Sequence, residues 1–457
     1  MDNTNATQIG GKIRRLRRGR NISQANLAQN LAISASYLNL IEHNRRKITV
    51  PLLFKLADFF GVEVGELAQS DDSQLVGDLM EIFGDDLFID SDLTNQDIRD
   101  LALTNPVAAR AVLSLFDKYS QIKTNQLATT YEKNSAIVPY HQATDAISDF
   151  IQENANYYAS LEKAAMRVRH DVDIASDNFM QGLTSYLLNV FGIRWRLANL
   201  EQGINKGLAD DETMLEISDI LPPETAKFTL AHHIGHLSAK AEIDNIIENS
   251  TLPELEAPIL ARNVLASYFA AALIMPYESF YLACKKYRYD IERIALQFGA
   301  SFEQVCHRMT SLQRPNMKGI PLHLIRTDIA GNISKRFSLS GIHIPRHSGA
   351  CPRWNVYAAF LQPAKINIQL SEMPDEEKYF CIAKSFEKGE YHHNAPLRHF
   401  AIGLGCNIMH AKAMIYSDGI ELGKSAKIVP IGVGCRICPR INCQQRAHPI
   451  ADHRLMN

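Results

Sequence analysis

The sequence predicts a multidomain chain, mainly α with an α+β C-terminal region. Three observations carry that reading. The first ~65 residues fall into short amphipathic segments punctuated by good helix caps. Residues 141–310 keep helical periodicity, interrupted by strand-like runs at 193–198 and 214–217. From about residue 320 the pattern becomes short alternating runs at 321–326, 333–337, 379–383 and 400–403, with Gly and Pro between them. A length of 457 residues accommodates two to four domains at about 150 residues each.

In chain order, residues 12–67 read as five short helices. Ile13 and Leu16 mark the first. Ser23 caps a second that contains Leu27 and Ala28, and Ser34 caps a third running through Tyr37, Leu38 and Ile41. Pro51 opens a fourth, with Leu53, Leu56, Ala57 and Phe60 on one face and Gly61 closing it. Val64 to Leu67 form a last turn. Residues 70–130 are acidic and helical, with a kink expected at Asn105-Pro106, and form a connector suited to dimerisation. Residues 134–140 read as a loop. The expected boundaries are 8–68 for a helix-turn-helix domain, 69–140 for the acidic helical linker, 141–315 for a zincin-like central domain and 316–457 for a Cys-containing α+β domain.

Charge is distributed unevenly. The net charge is −2, but residues 1–60 carry ten Lys or Arg against three acids, a balance of +7. Residues 71–100 carry ten acids and one Arg, a balance of −9. A basic head on a near-neutral chain points to a polyanion bound by that head alone. No run of about 18 apolar residues is seen and the first eleven residues have no apolar signal core, so a cytoplasmic protein without a membrane partner is expected. In that setting the eight cysteines are expected as buried thiols or metal ligands rather than disulfides.

The stretch from Ile22 to Glu42 is the strongest local signal. The third helix would present Ser34, Ala35, Ser36, Tyr37 and Asn39 at its N-terminal end, which in a helix-turn-helix enters the major groove. Ser and Asn can bond base edges, and an Ala methyl can meet thymine. Gln24 is placed for a phosphate, and Asn44, Arg45, Arg46 and Lys47 for the backbone. The pattern resembles the phage-repressor (XRE) class, which implies double-stranded operator DNA as partner and a homodimer with recognition helices about 34 Å apart.

In Phe228 to Leu237, His232 and His236 are four apart and share one helix face, as two zinc ligands require. The position of the zincin general base is His233. The stretch resembles phage-immunity-type zinc peptidases, whose downstream helix ending in Leu-Met-Pro supplies an acidic third ligand. Here Leu265 stands at that position, in the helix ending Ile274-Met275-Pro276. The expectation is a retained fold without peptidase activity, with residual metal on His232 and His236 left open. The old cleft is a natural place for a small ligand, lined by His232, His236, Tyr268 and Tyr277.

Cys435, Cys438 and Cys443 form C-x2-C-x4-C, with Arg436, Arg440 and Arg446 interleaved. Thiolates so close suit an iron–sulfur cluster or zinc. Cys406, Cys351 and His448 are all candidates for the fourth ligand, while Cys284, Cys306 and Cys381 read as core.

The order of parts, with the stretches 37–46, 349–355 and 432–438, resembles the short-chain fatty-acyl-CoA-responsive regulators over nearly the whole chain. That resemblance implies an acetyl- or propionyl-CoA effector, control of carbon-metabolism genes and a [4Fe–4S] cluster at the C-terminal cysteines. The rival readings are a metallopeptidase acting on a partner regulator and a purely redox-sensing regulator.

Overall fold

The computed structural model describes residues 10–449 except 21, 43–45, 47, 63–71, 89–90, 92, 129–136, 172–178, 201–203, 209–212, 251, 253–256, 347–348, 389–396 and 424. The chain forms two units. One holds 1–123 with 345–348 and 448–457, and the other holds 124–344 with 349–447.

The first unit opens with α1 (Gly10–Gly19), α2 (Gln24–Asn30), α3 (Ala35–Glu42) and α4 (Val50–Phe60). Apolar residues at helical spacing close one small core from Ile13, Leu27, Leu38, Leu56 and Phe60, all fully buried or nearly so. Ser23 accepts the Asn26 N–H at 3.2 Å and Ser34 accepts the Tyr37 N–H at 3.1 Å, so both serines act as N-caps. Gly61 ends α4 with a φ of 58°, where a side chain would be strained. The fifth expected helix, at 64–67, lies outside the described residues. The acidic stretch forms α5 (Asp72–Phe83), α6 (Asn95–Thr104) and α7 (Pro106–Ala128) around Leu79, Ile82, Ile98, Ala102 and Ala109. At Asn105-Pro106 the helix stops and restarts instead of kinking. Asn105 leaves helical geometry (φ −138°, ψ 67°), its side chain accepts the Ala108 N–H, and Pro106 opens α7, where no N–H is needed.

The second unit begins with α8 (Ile137–Glu153), so 137–140 is helix where a loop was expected, and 134–136 lie outside the described residues. Pro139 falls in the first turn, where a helix tolerates it. There follow α9 (Ala159–Asp171), α10 (Phe179–Phe191), β1 (Arg194–Ala198), β2 (Lys206–Leu208), β3 (Met214–Ser218), α11 (Pro223–Ser238), α12 (Lys240–Glu248), α13 (Ala257–Ile274), α14 (Tyr277–Lys286), α15 (Ile291–Phe298) and α16 (Phe302–Thr310). The small sheet has the order β1-β3-β2, with β1 parallel and β2 antiparallel to β3. A six-stranded sheet then gathers β4 (Leu322–Asp328), β5 (Ile333–Ser338), β6 (Asn367–Glu372), β7 (Lys378–Lys388), β8 (Arg398–Asn407) and β9 (Val429–Pro430) in the order β5-β4-β8-β7-β6-β9, with a short helix α17 (Asn355–Ala358) over it. One hydrophobic core continues from the helices into this sheet, through Leu161, Ile234, Phe269, Phe280, Ile294, Leu324, Phe380 and Leu404.

Helix α13 corrects the apolar-run count. It is long and apolar enough to cross a membrane, although Arg262, Asn263 and Ser267 interrupt the run. It is a core helix: Leu265, Ala266, Phe269, Ala270 and Leu273 are fully buried, and it packs on α9 and α11.

Candidate functional site

The C-terminal end of α3 is held by a polar clamp. Arg17 on α1 donates to both oxygens of Glu42 on α3, at 2.7 and 2.9 Å, and to the Ile22 carbonyl at 2.9 Å. Both side chains are buried or nearly so, and a bidentate Arg–carboxylate pair fixes orientation as well as distance. Gln24 on α2 donates to Glu42 at 3.0 Å and to Asn39 at 3.3 Å. Its amide therefore ties α2 to α3. Ser34, Ala35, Ser36 and Asn39 are exposed and Tyr37 is half-buried, with the Arg46 guanidinium 5.8 Å from its ring centroid. Asn44, Arg45 and Lys47 lie outside the described residues. Ala32, in the turn between α2 and α3, adopts a φ of 55°, the sharp reversal that lets α3 leave α2 at an angle.

His232, His233 and His236 stand on α11, packed against α13. The His232 and His236 rings meet edge to face with centroids 4.7 Å apart. A cation already occupies their surroundings: Lys206 Nζ on β2 is 3.2 Å from His232 Nδ1. On the other side His232 Nε2 is 3.2 Å from the Asn263 carbonyl oxygen, and His236 bonds the Asn263 side chain. Burial, with Lys206 and His236 adding to it, drives the His232 pKa down to about 3. Burial and the same two neighbours take His233 to about 4. These imidazoles are neutral at pH 7, as metal ligands would be, yet no carboxylate or thiol among the described residues joins them in a three-donor set. Leu265, expected at the acidic ligand's position, is fully buried in the core.

Tyr268 and Tyr277 do not share the histidines' surroundings. The Tyr268 hydroxyl donates to Glu162 Oε1 at 2.6 Å and accepts the Tyr158 N–H at 3.3 Å. Tyr277 donates to the Met317 carbonyl at 3.0 Å and accepts the Arg314 N–H at 2.7 Å. Both rings flank Arg308, whose guanidinium lies 5.8 and 5.7 Å from their centroids.

The cysteine loop is organised by arginine. Arg446 donates to the carbonyls of Cys435, Cys438 and Arg440, and Arg440 to those of Ile431, Glu372 and Met373. Those guanidiniums order the backbone. The Ala447 N–H points at Cys435 Sγ at 3.3 Å. Cys351 joins this loop: its N–H donates to Val433, and burial together with the nearby Cys435 and Cys438 raises its thiol pKa. Cys406 does not. It is fully buried in β8, beside Cys381, in the core shared with the helices.

Sequence reading missed Lys206, Asn263 and the Arg17–Glu42 pair. Lys206 lies on a three-residue strand with no alternation to betray it, and an ion pair 25 residues apart leaves no local pattern.

Three family descriptions match in succession: helix-turn-helix over 13–67, IrrE N-terminal-like domain over 188–310, and short-chain fatty acyl coenzyme A regulator, C-terminal, over 311–457. The transcriptional regulator RamB of Mycobacterium tuberculosis is 36% identical, covering 97% of this chain and 94% of RamB. PrpR of the same organism is 33% identical, over 98% of this chain and 93% of PrpR. A propionyl-CoA carboxylase regulator of Cereibacter sphaeroides is 35% identical, over 98% and 95%. A solved Mycobacterium tuberculosis transcriptional regulator superposes with a TM-score of 0.65 at 37% identity, covering 68% of this chain and 95% of that one. With matches of this extent and order, the chain belongs to the short-chain fatty acyl coenzyme A regulator family of helix-turn-helix transcriptional regulators.

Proposed function

We propose that the chain binds operator DNA through α3 and releases or engages it according to the acyl-CoA bound by its second unit. The observation that carries this reading is the recognition helix, which offers Ser36 and Asn39 to solvent on a frame locked by Arg17, Gln24 and Glu42. Ser34, Ala35 and Tyr37 complete the base-facing end, and Asn44, Arg45, Arg46 and Lys47 supply phosphate contacts. A homodimer would set two such helices about 34 Å apart. Gating requires that the acyl-CoA bind the DNA-competent and incompetent states with different affinities. The test is an anisotropy titration against DNA selected in vitro, with acetyl-CoA, propionyl-CoA or free CoA present. A changed operator affinity with an acyl-CoA supports the reading, and indifference to all three sinks the effector half. Arg46→Ala is expected to weaken every sequence alike and lower the salt slope by about one, whereas Asn39→Ala relaxes discrimination.

The cysteine loop is read as the seat of a [4Fe–4S] cluster, with zinc as the alternative. The amide aimed at Cys435 Sγ is the kind of hydrogen bond that stabilises a ligating thiolate. Cys435, Cys438 and Cys443 would hold the cluster with Cys351 as the fourth ligand; the cluster would supply redox sensitivity. Protein prepared without oxygen is expected to carry about four irons per chain. They should be lost on Cys435→Ala or Cys351→Ala and kept on Cys406→Ala. Colourless, iron-free protein overturns this part.

The chain is not a peptidase on this reading, because His233 replaces the general base and Lys206 and Asn263 occupy the imidazoles. A binding metal would stabilise the fold by about 2.7 kcal/mol at a hundredfold over its Kd. Excess zinc is therefore expected to leave the melting temperature unchanged, and a rise that vanishes on His232→Ala would revive the metalloenzyme.

A further inference from the structure

The six-stranded sheet turns a row of cations to one face. Arg326 pairs with Lys335 across β4 and β5 and with Ile402 across β4 and β8, while Ile402 pairs with Lys384 on β7. Directly opposed residues share a face, and side chains alternate along a strand. Arg326, Lys335, Lys384, Lys388 and Arg398 therefore all point the same way, with Phe386 and Phe400 opposed between them. Two carboxylates from the helices are bonded to this row. Lys384 is taken up by Glu292 on α15 at 2.6 Å. Three cations converge on Glu303 of α16, whose side chain is only 10% exposed: Arg326 at 2.7 Å, Lys388 in direct contact and Lys335 at 3.8 Å. His307, on the next turn of α16, is 3.3 Å from Lys335 Nζ, and burial and that lysine keep it neutral. One carboxylate facing three cations leaves an excess of two positive charges at one spot.

An ion pair that only pinned α16 to the sheet would need one cation. Here the two lysines keep unused N–H donors among the described residues, and their side chains remain 45% and 42% exposed, open to a solute. Beneath them the Phe386 and Phe400 rings, with centroids 6.1 Å apart, form an apolar floor, and Lys388 lies 5.6 and 6.0 Å from those centroids. We propose that this face is a binding site for a phosphate-bearing small molecule, its anion seated on Lys335, Lys388 and Arg326 above the two phenylalanines. Glu303 is the positioning residue that holds the three cations together, and the ligand neutralises the charge it leaves over.

The test is calorimetric titration of the whole chain with inorganic pyrophosphate and, separately, with coenzyme A, at constant ionic strength. Saturable binding is expected, weakened about tenfold, or about 1.4 kcal/mol, in Lys335→Ala and in Lys388→Ala, since each removes a charged hydrogen-bond donor. Lys335→Arg should retain it. Binding of pyrophosphate alone would assign a free phosphate compound, and parallel losses for both probes would assign the phosphorylated end of a coenzyme. Far-ultraviolet circular dichroism and operator binding check that the variants fold, and Lys388→Gln substitutes for one that does not. Equal affinity in wild type and all variants, or no saturable binding of either probe, overturns the site. Equal affinity in wild type and all variants would remove this site alone and leave the acyl-CoA reading, which the operator titration tests by itself, untouched.

Discussion

Arg308→Met is expected to lower stability by about 3–5 kcal/mol, because it strands a buried carboxylate. Arg308 on α16 and Glu162 on α9 are almost wholly buried, their side chains 1% and 4% exposed. The guanidinium donates to both Glu162 oxygens at 2.7 and 3.0 Å, to the Met275 carbonyl at 3.0 Å and to Ser311 at 3.1 Å. Methionine fills much of the volume and meets none of those acceptors. Glu162 would keep the Tyr268 hydroxyl as its remaining side-chain donor. Removing both charges in Glu162→Leu/Arg308→Met should recover most of the loss, since a desolvated pair adds little net stability over apolar groups of similar size. Tyr268→Phe, which deletes one donor and leaves the pair, should cost about 1–2 kcal/mol. Urea unfolding of the three variants measures this. A loss under about 1 kcal/mol for Arg308→Met would show that water reaches the pair. The pair joins α9 to α16 through the core, so an effector that separated these helices would have to break it.

What the sequence made legible was local. The caps Ser23 and Ser34, the Gly61 stop and the 3.6-residue spacing around Leu38 and Leu56 placed four helices of the first unit, because each signal acts within a turn or two of chain. The His232/His236 spacing was legible for the same reason. Strands β4, β5, β7 and β8 were found but drawn short, since sheet pairing extends them past their apolar centres. β6 is two-thirds polar (Asn, Gln, Ser and Glu), with only Ile368 and Leu370 to mark it. What stayed hidden depends on contacts far apart in sequence: Lys206 on His232, Cys351 against Cys435 and Cys438, Glu162 on Arg308. Tyr268 and Tyr277 are expected beside the histidines if the helices pack as in the zinc-peptidase family, but a helix presents different faces and Tyr268 turns to Glu162 on α9. The one cluster of buried apolar side chains shared by the helices and the six-stranded sheet likewise appears only when the chain has folded, because no stretch of sequence shows which surface another will cover.

Acid should weaken the second unit through His323, and the sign follows from its burial. The ring lies on β4, 4% exposed, with Nδ1 2.7 Å from the Ser340 hydroxyl and Nε2 3.6 Å from Cys381 Sγ. It packs against Gly405 of β8, where any Cβ would stand 2.6 Å from ring atoms. Burial lowers its pKa to about 3, against 6.5 in the unfolded chain. Above pH 6.5 the ring is neutral in both states and stability does not respond. Between 6.5 and about 3 the unfolded chain binds a proton that the native ring refuses, so stability falls as pH falls. One such histidine removes about 2 kcal/mol by pH 5. Neighbouring Cys381, its thiol pushed up to about 12 by burial, stays neutral across this window and cannot offset the loss. Unfolding free energies measured at pH 7.5 and pH 5 should therefore differ by about 2 kcal/mol more in the wild type than in His323→Gln, whatever that substitution costs at neutral pH. Equal pH dependence in the two proteins would mean that the native ring takes up the proton, and that β4 and β8 separate enough at Gly405 to admit water to it.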